Sequence, residues 1–475
     1  MSLCPLVIDL DGTLLNSDLL IESGVAFARA EPFKVFSLLG WLVSCGKAQL
    51  KEQLALKVEV DVTTLPYNAQ LVEFIEEERR KGREIVLATA THRLYAEQIA
   101  THLGIFDRVI ATNKETNLSG RNKRDRLIEQ FGEKGFDYVG NSHDDLVVWA
   151  AARRAYVVNP APGVVVKAKA LGNVEGVFDA PRERVRLWIK GMRFHQWIKN
   201  LLIFVPLLAS HQVGRPELLL NGLAAFLFFG LCASSVYLLN DVLDLPDDRR
   251  HPSKRHRPFA SGHVSIKSGL LAIPVLFLSA FVGALWLLPW EFTASLAVYY
   301  VLTLVYSIWL KRLIMVDVVV LALLYTLRVV AGTFVFGGVL TFWMLAFSMF
   351  IFLSLALVKR YAELKEARNK GETEKTGGRG YYPDDLEMIS SLGGSAGYLS
   401  IMVLALYIQD PNTVVLYHHP QVIWLACPLL LFWVSRIWLL THRGHMHDDP
   451  VVFAIKDRVS LLVGMLFGAI FWAAT

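Results

Sequence analysis

Charge is scarce in this sequence: Asp, Glu, Lys and Arg make up only 19% of its 475 residues, against 54% hydrophobic, and the mean hydropathy is +0.40. That balance excludes an ordinary soluble protein and places the chain in a membrane. Cysteine is scarcer still. Cys4, Cys45, Cys232 and Cys427 are scattered, two of them in apolar runs, which excludes a CxxC metal site and a disulfide framework and leaves them as packing residues. The opening MSLCPLVIDLDGT lacks both the basic start and the uninterrupted apolar stretch of a secretory signal, so the first part of the chain is expected to stay in the cytoplasm. The net charge of +5 comes largely from Lys and Arg beside apolar runs. That is a topology pattern, and no nucleic-acid partner is expected.

What charge there is lies unevenly. The N-terminal residues carry a normal mix, whereas most of the rest comes as long apolar runs, so two domains are expected, 1–180 and 181–475. In the first, the apolar runs at 6–8, 85–88 and 138–139 end in Asp9-Leu10-Asp11-Gly12-Thr13, Thr89-Ala90-Thr91 and Gly140-Asn141-Ser142. Short apolar strands separated by helical stretches predict a parallel sheet covered by helices, with ligands at the carboxyl ends of the strands. All these polar residues fall at such ends.

A hydrocarbon core about 30 Å thick needs roughly 20 apolar residues per helix. Nine candidate spans follow, at 195–212, 217–239, 266–288, 291–309, 313–336, 341–358, 394–410, 420–440 and 458–475, the first being the shortest. Every second loop is basic, with Arg249, Arg250, Lys254, Arg255 and Arg257, then Lys311 and Arg312, then 359–375, then Arg443, Lys456 and Arg458. By the positive-inside rule these loops face the cytoplasm, on the side expected for the first domain. A multi-pass protein of the inner membrane with a cytoplasmic N-terminal domain is therefore expected.

The richest stretch runs from Asn240 through Asp241, Asp244, Pro246, Asp247 and Asp248 to Lys254, Arg255 and Arg257. Asp241, Asp244 and Asp248 are spaced i, i+3, i+7, so they share one face if the preceding helix continues; Pro246 could instead open a new turn. Clustered carboxylates suit magnesium, which takes one or two of them and leaves its other positions to water and phosphates. An acid and base run at a helix end is usually only a solvated loop. Here Ser234, Ser235, Tyr237 and Asn240 border it on an apolar helix, and carboxylates near a membrane are costly unless paired or ion-bound.

NDxxDxxxD followed by HPxKRxRP resembles the UbiA superfamily of intramembrane prenyltransferases, and more narrowly its decaprenyl-phosphate phosphoribosyltransferase branch. Arg193-Phe194-His195-Gln196-Trp197-Ile198-Lys199-Asn200, Tyr306 to Arg312 with Asp317, Tyr325 to Gly332, Lys359 to Leu364, and Asp449 to Phe453 with Asp457-Arg458 belong to the same resemblance over residues 190–475. It implies an all-helical bundle of nine spans and magnesium on Asp241, Asp244 and Asp248. The implied reaction joins a polyprenyl phosphate to phosphoribosyl diphosphate. Asn240, Lys254, Arg255 and Arg257 are the implied phosphate-binding set. Lys199, Lys311, Arg328 and Lys359 serve either the same end or as snorkelling topology markers, and Tyr306 either as a hydrogen-bond donor or as an interfacial aromatic. The chain departs from aromatic-acceptor members in having Lys359, Arg360 and Glu363 where they carry a second aspartate pair. One carboxylate cluster with extra cations fits two anionic substrates better than a neutral ring. An aromatic prenyltransferase, and a scaffold or transporter with a regulatory domain, are the alternatives.

Asp9-x-Asp11-Gly12-Thr13 resembles the signature of haloacid dehalogenase-type phosphatases, and Thr89 (or Thr91), Lys123 and Gly140-Asn141-Ser142-His143-Asp144-Asp145 follow in the family's order. The resemblance implies Asp9 as nucleophile, Asp11 as general acid and base, Thr and Lys as phosphoryl holders, and magnesium among Asp9, Asp11, Asn141 and Asp145. Asn141 stands where the family carries a charged ligand, and Asp144 competes with Asp145 by one position. Removal of the 5-phosphate from the lipid product is the expected coupling of the two domains. Lipid length and oligomeric state, a homo-oligomer included, stay open.

Overall fold

A computed structural model of the protein describes residues 4–113, 117–178, 184–210, 212, 214–371, 373, 379–410, 417–446 and 449–474. The chain divides into two compact units, Met1–Met192 with Tyr237–Ile273, and Arg193–Val236 with Pro274–Thr475.

The first unit is built on six parallel strands, β1 (Leu6–Ile8), β2 (Ile85–His92), β3 (Arg108–Thr112), β4 (Asp137–Gly140), β5 (Ala155–Val158) and β6 (Val174–Phe178), in the order β3-β2-β1-β4-β5-β6. The three apolar runs picked from the sequence are the central strands. Leu6 pairs with Ile85 on one side and Asp137 on the other, which fixes the register of all three. Side chains alternate across each strand: Leu6, Ile8, Ile85, Leu87 and Val139 enter one core, and Val7, Val86, Ala88 and Tyr138 enter the other. Both faces are therefore buried, as a parallel sheet requires. The strand order reverses beside β1, so the crevice at its carboxyl end is where a ligand site belongs.

The helices Leu19–Ala30 and Phe36–Lys57 form a hairpin inserted between β1 and β2, packed through Phe27, Leu50, Leu54 and Val58. Asp18 caps the first of them, accepting from the backbone N–H groups of Leu20 and Ile21.

In the second unit an apolar core gathers Tyr325, Val329, Phe352, Leu355, Leu404, Ile423, Leu430 and Val434. Among the described residues, seven helices are long and apolar enough to cross a membrane: Pro216–Leu243, Ile266–Leu287, Trp290–Ile308, Val316–Val335, Phe342–Asn369, Pro383–Ile408 and Pro420–His442. They coincide with seven of the nine expected spans. The other two fall on the shorter apolar segments Phe194–Ala209 and Arg458–Ala474. The first is short because Phe194–Phe204 winds as a 3-10 helix and Pro206 then opens a separate turn, Val205–Ala209. The protein is a multi-pass membrane protein.

Candidate functional site

The N-terminal site forms at the carboxyl ends of β1, β2 and β4. Asp9 follows β1 directly and is buried, its backbone N–H donating to Val139 O at 3.0 Å. Lys123, on the helix Gly120–Phe131, donates from Nζ to Asp9 Oδ1 at 2.6 Å and to Tyr138 Oη at 2.9 Å. Burial pushes the Asp9 carboxyl up to about 6, against the pull of Lys123, and the same carboxylates hold the Lys123 ammonium above its usual range in spite of its own burial.

Asp11 sits two residues on. Its Oδ1 accepts from the Leu19 N–H at 2.9 Å and its Oδ2 from Thr91 Oγ1 at 2.5 Å. Burial, with Asp18 nearby, lifts it to about 7. Of the two threonines, Thr91 reaches Asp11, whereas the Thr89 hydroxyl accepts from the Thr91 backbone N–H at 3.0 Å. Asp145 is buried and Asp144 exposed. Asp145 Oδ1 accepts from Tyr138 Oη at 2.7 Å, and Oδ2 accepts from Asn141 N, Ser142 N and Ser142 Oγ at 2.8–3.0 Å. Three of these four bonds fall on Oδ2 and tie Asp145 to its loop, while Oδ1 accepts only one. Asn141 is differently placed: a Cβ on Gly12, which has φ +73°, would lie 2.1 Å from Asn141 Nδ2, so this amide rests on the turn that carries Asp9 and Asp11. Only glycine permits that approach.

Asp9, Asp11, Lys123 and Asn141 line one cavity of about 1180 Å³, far larger than a phosphate group. Its wall also includes Lys51, Trp188, His263 of the segment that leads into the Ile266–Leu287 span, and Lys267 in the first turn of that helix. Gly262 (φ +73°) seats that segment against the loops that carry Asn16 and Pro66: a Cβ there would meet Asn16 Cβ at 2.6 Å and Pro66 Cβ at 3.1 Å. Sequence reasoning missed Tyr138 and Lys51. Lys51 Nζ donates to Ala90 O at 2.6 Å and Asn117 Oδ1 at 3.0 Å, and burial lowers its pKa.

The acidic run lies in the same unit. The helix Pro216–Leu243 ends before Asp244, and Leu245–Arg250 begins a new turn with Pro246 in its first positions. Backbone bonds from Asp244 N to Asn240 O (2.8 Å) and from Asp248 N to Asp244 O (2.9 Å) nevertheless keep the helical spacing across the break. As a result the buried Asp241 and Asp248 meet on one group, Arg257 Nη1, at 3.1 and 2.7 Å. Burial raises the Asp248 pKa, and Arg257 offsets this only in part. Asp244 is half-buried beside them, as is Asn240, while Lys254 and Arg255 are exposed. Among the described residues no group of three or more His, Cys, Asp or Glu side chains is gathered tightly enough to form a ready-made metal cage. Two carboxylates converging on a single cation are nonetheless the donor set magnesium uses when phosphates complete its shell, so the residues fit that ion.

Arg249 and Arg250 have a different occupation. Arg249 makes a bidentate pair with Glu22 at 2.7 and 2.8 Å, both side chains nearly buried, and Arg250 pairs with Asp61 at 2.8 Å. Arg249→Ala should destabilise the first unit by about 3–5 kcal/mol, because Glu22 is left charged without a partner. Limited proteolysis of the membrane-embedded protein reads that loss, and Glu22→Gln on top of it should recover part.

In the second unit, Lys199 and Lys359 converge on Asp449 Oδ2 at 2.7 and 3.6 Å, and Tyr325 Oη donates to the same carboxylate at 3.1 Å. Arg328 donates to Asn200 Oδ1 and Tyr299 Oη, each at 3.1 Å. Asn200 Nδ2 and Thr326 Oγ1 are buried without a hydrogen-bond partner. Charged groups inside an apolar bundle are retained when they pair or bind ions, and Asp449, Tyr325, Asn200 and Tyr299 join the expected cations in such a set. Arg360 pairs with buried Asp317 at 2.6 Å and with Glu363, and bonds Tyr306. Lys311 is half-buried in the turn Leu310–Arg312.

Residues 201–459 match the UbiA prenyltransferase family, and residues 6–147 match haloacid dehalogenase-like hydrolases. The chain is 38% identical over 471 residues to the uncharacterized protein y4nM of Sinorhizobium fredii, covering 98% of this chain and 90% of that one. It is 36% identical over 291 residues to nodulation protein NoeC of Azorhizobium caulinodans, covering 60% and 92%. With decaprenyl-phosphate phosphoribosyltransferase of Mycolicibacterium smegmatis it shares 30% over 289 residues, covering 59% and 89%.

Proposed function

The chain belongs to the UbiA prenyltransferase family, with a haloacid dehalogenase-like domain ahead of it, and from that footing we propose that it moves 5-phosphoribose from phosphoribosyl diphosphate onto a polyprenyl phosphate and then removes the 5-phosphate. It is an enzyme. Residues 1–180 would carry the phosphatase and 181–475 the transferase, with the N-terminal domain on the cytoplasmic side of the inner membrane.

The observation that carries the first step is the convergence of buried Asp241 and Asp248 on one cation at the end of a span. A phosphate oxygen of the lipid attacks the anomeric carbon, and the bond from that carbon to the pyrophosphate oxygen breaks. Magnesium, when bound by Asp241, Asp244 and Asp248, supplies positive charge to the leaving pyrophosphate. Arg257 keeps the two buried carboxylates together, and Asn240, Lys254 and Arg255 are placed to contact the phosphates. Lys199, Lys311, Arg328 and Lys359 are proposed as further phosphate contacts within the bundle, and Tyr306 as a hydrogen-bond donor.

For the second step the cavity above Asp9 is the support, since its volume and its wall from residues 261–268 suit a headgroup presented from the membrane. Asp9 attacks phosphorus, Asp11 protonates the departing ribose oxygen and later takes a proton from water, and Lys123 with a threonine hydroxyl neutralises the phosphoryl oxygens. Asp9, Asp11, Asn141 and Asp145 would hold a magnesium ion that lessens repulsion between the two anions.

The working form has Asp9 ionised and Asp11 protonated. Phosphatase turnover on a soluble phosphate ester is therefore expected to rise as pH passes about 6 and to fall as pH passes about 7. Bound magnesium favours the ionised form of both carboxyls and so moves both limbs to lower pH. Thr91→Val deletes a hydrogen bond that favours ionised Asp11, so the alkaline limb of the pH–rate profile should move upward.

Mass spectrometry of lipids after incubation with magnesium, polyprenyl phosphate and phosphoribosyl diphosphate tests the whole reading. A polyprenyl-phosphoryl ribose is the expected product. Prenylated hydroxybenzoate formed from an aromatic acceptor, with no sugar in the lipid, overturns it.

A further inference from the structure

The hairpin between β1 and β2 carries an apolar surface that neither step uses. Over Pro32–Ser44 the sequence reads PFKVFSLLGWLVS. Leu38 and Trp41 turn inward against the hairpin core, Trp41 packing on Phe27 at 5.4 Å between ring centroids. The opposite face is equally apolar and stands open, with Phe33 97%, Phe36 77%, Leu39 61% and Val43 84% exposed. A helix on a water-facing surface puts polar residues there, and a run of large exposed apolar side chains marks a surface that something covers.

Three features identify the cover as lipid. First, the apolar stretch ends sharply: the helix Phe36–Lys57 is broken at Gly46 (φ 78°, ψ −179°), and beyond it come Lys47, Gln49, Lys51 and Glu52. Second, charge in the stretch has one sign. No acidic residue occurs between Glu31 and Glu52, while the exposed Lys34 and Lys47 do, a balance that suits anionic lipid headgroups. Third, the base of the hairpin is fixed near the end of a membrane span. Arg29 pairs with Asp247 at 2.5 Å, Glu22 with Arg249 and Asp61 with Arg250, all just beyond the helix Pro216–Leu243.

We propose that residues 32–44 lie in the membrane interface, the exposed face of Phe33, Phe36, Leu39 and Val43 set at the boundary between headgroups and acyl chains, so that the phosphatase cavity is held at headgroup level. Interfacial helices sink roughly 5–10 Å in this way. The inference needs the chain to be a membrane protein and does not depend on which lipid the enzyme processes.

Collision-based spin labelling of the full chain in nanodiscs containing anionic lipid tests it. Cys4, Cys45, Cys232 and Cys427 are first replaced by Ser or Ala, and single nitroxides are attached at Phe36→Cys, Val43→Cys and, as a control on the sheet domain, Arg126→Cys. Retained turnover of a soluble phosphate ester verifies the fold. At positions 36 and 43 the ratio of accessibility to oxygen over a nickel chelate should be several-fold above that at position 126. Equal ratios at all three positions overturn the proposal, and so does protection of 36 and 43 from both agents, which would mean burial against protein. The triple variant Phe33→Asp, Phe36→Asp, Val43→Asp should keep activity on the soluble ester and lose several-fold on a membrane-embedded phosphorylated lipid. Unchanged activity on that lipid also overturns the proposal.

Discussion

Asp9→Asn is expected to stop dephosphorylation and leave the transfer reaction running, so that the lipid accumulates with its 5-phosphate in place. An amide cannot form the acyl-phosphate bond, and loss of a nucleophile that acts as a unit with its neighbours costs on the order of 10⁴-fold or more. Lys123 would also lose its closest anionic partner, at 2.6 Å, while keeping Tyr138. Substitution by asparagine preserves volume, so the fold should survive, and normal formation of the phosphorylated lipid serves as the internal control. Release of phosphate from that lipid at the wild-type rate would remove the N-terminal domain from the pathway proposed for it.

How far such chemistry could be read in advance depended on the range of the interactions. Asp9, Asp11 and Asn141 were legible because the polar groups follow apolar strands at fixed offsets, and the sheet then brings the strand ends together, whereas Lys123 lies on a helix and was pointed to by the family resemblance alone. Strands β3, β5 and β6 were not singled out. The pattern in β3 and β6 is that of half-buried or edge strands, with Arg108 and Glu175 inside them, and apolar runs alone do not reveal such strands. Tyr138 was missed because an aromatic on a central strand reads as core, and only the fold shows its hydroxyl spanning Lys123 and Asp145. The pairing of Glu22 with Arg249, 227 residues apart, leaves no local signal in a single sequence. Arg249 and Arg250 therefore read as topology markers, whereas both are engaged by carboxylates. In the acidic run the i, i+3, i+7 spacing located the right residues. It did not show that the helix ends at Leu243, because continued backbone bonding across the break restores the face that the spacing implies.

Asp241→Asn and Asp248→Asn should each reduce sugar transfer by about a hundred- to a thousand-fold, the cost of removing one group that stabilises developing charge. The argument is electrostatic. The two carboxylates are buried and share Arg257 Nη1, so each is held where a compact cation belongs, and neutralising either removes one of the negative charges that balance the guanidinium and an incoming divalent ion. Affinity for the ion should fall with rate, and raising magnesium should restore part of the activity of each single variant and little of the double variant's. Asp244→Asn should cost less, since that residue is only half-buried. Binding of manganese as a magnesium substitute, followed by its electron paramagnetic resonance, separates ion loss from misfolding. Wild-type transfer by the double variant would mean that the buried carboxylates serve only to anchor Arg257, and the transferase chemistry would then have to be sought around Asp449, where Lys199 and Lys359 converge.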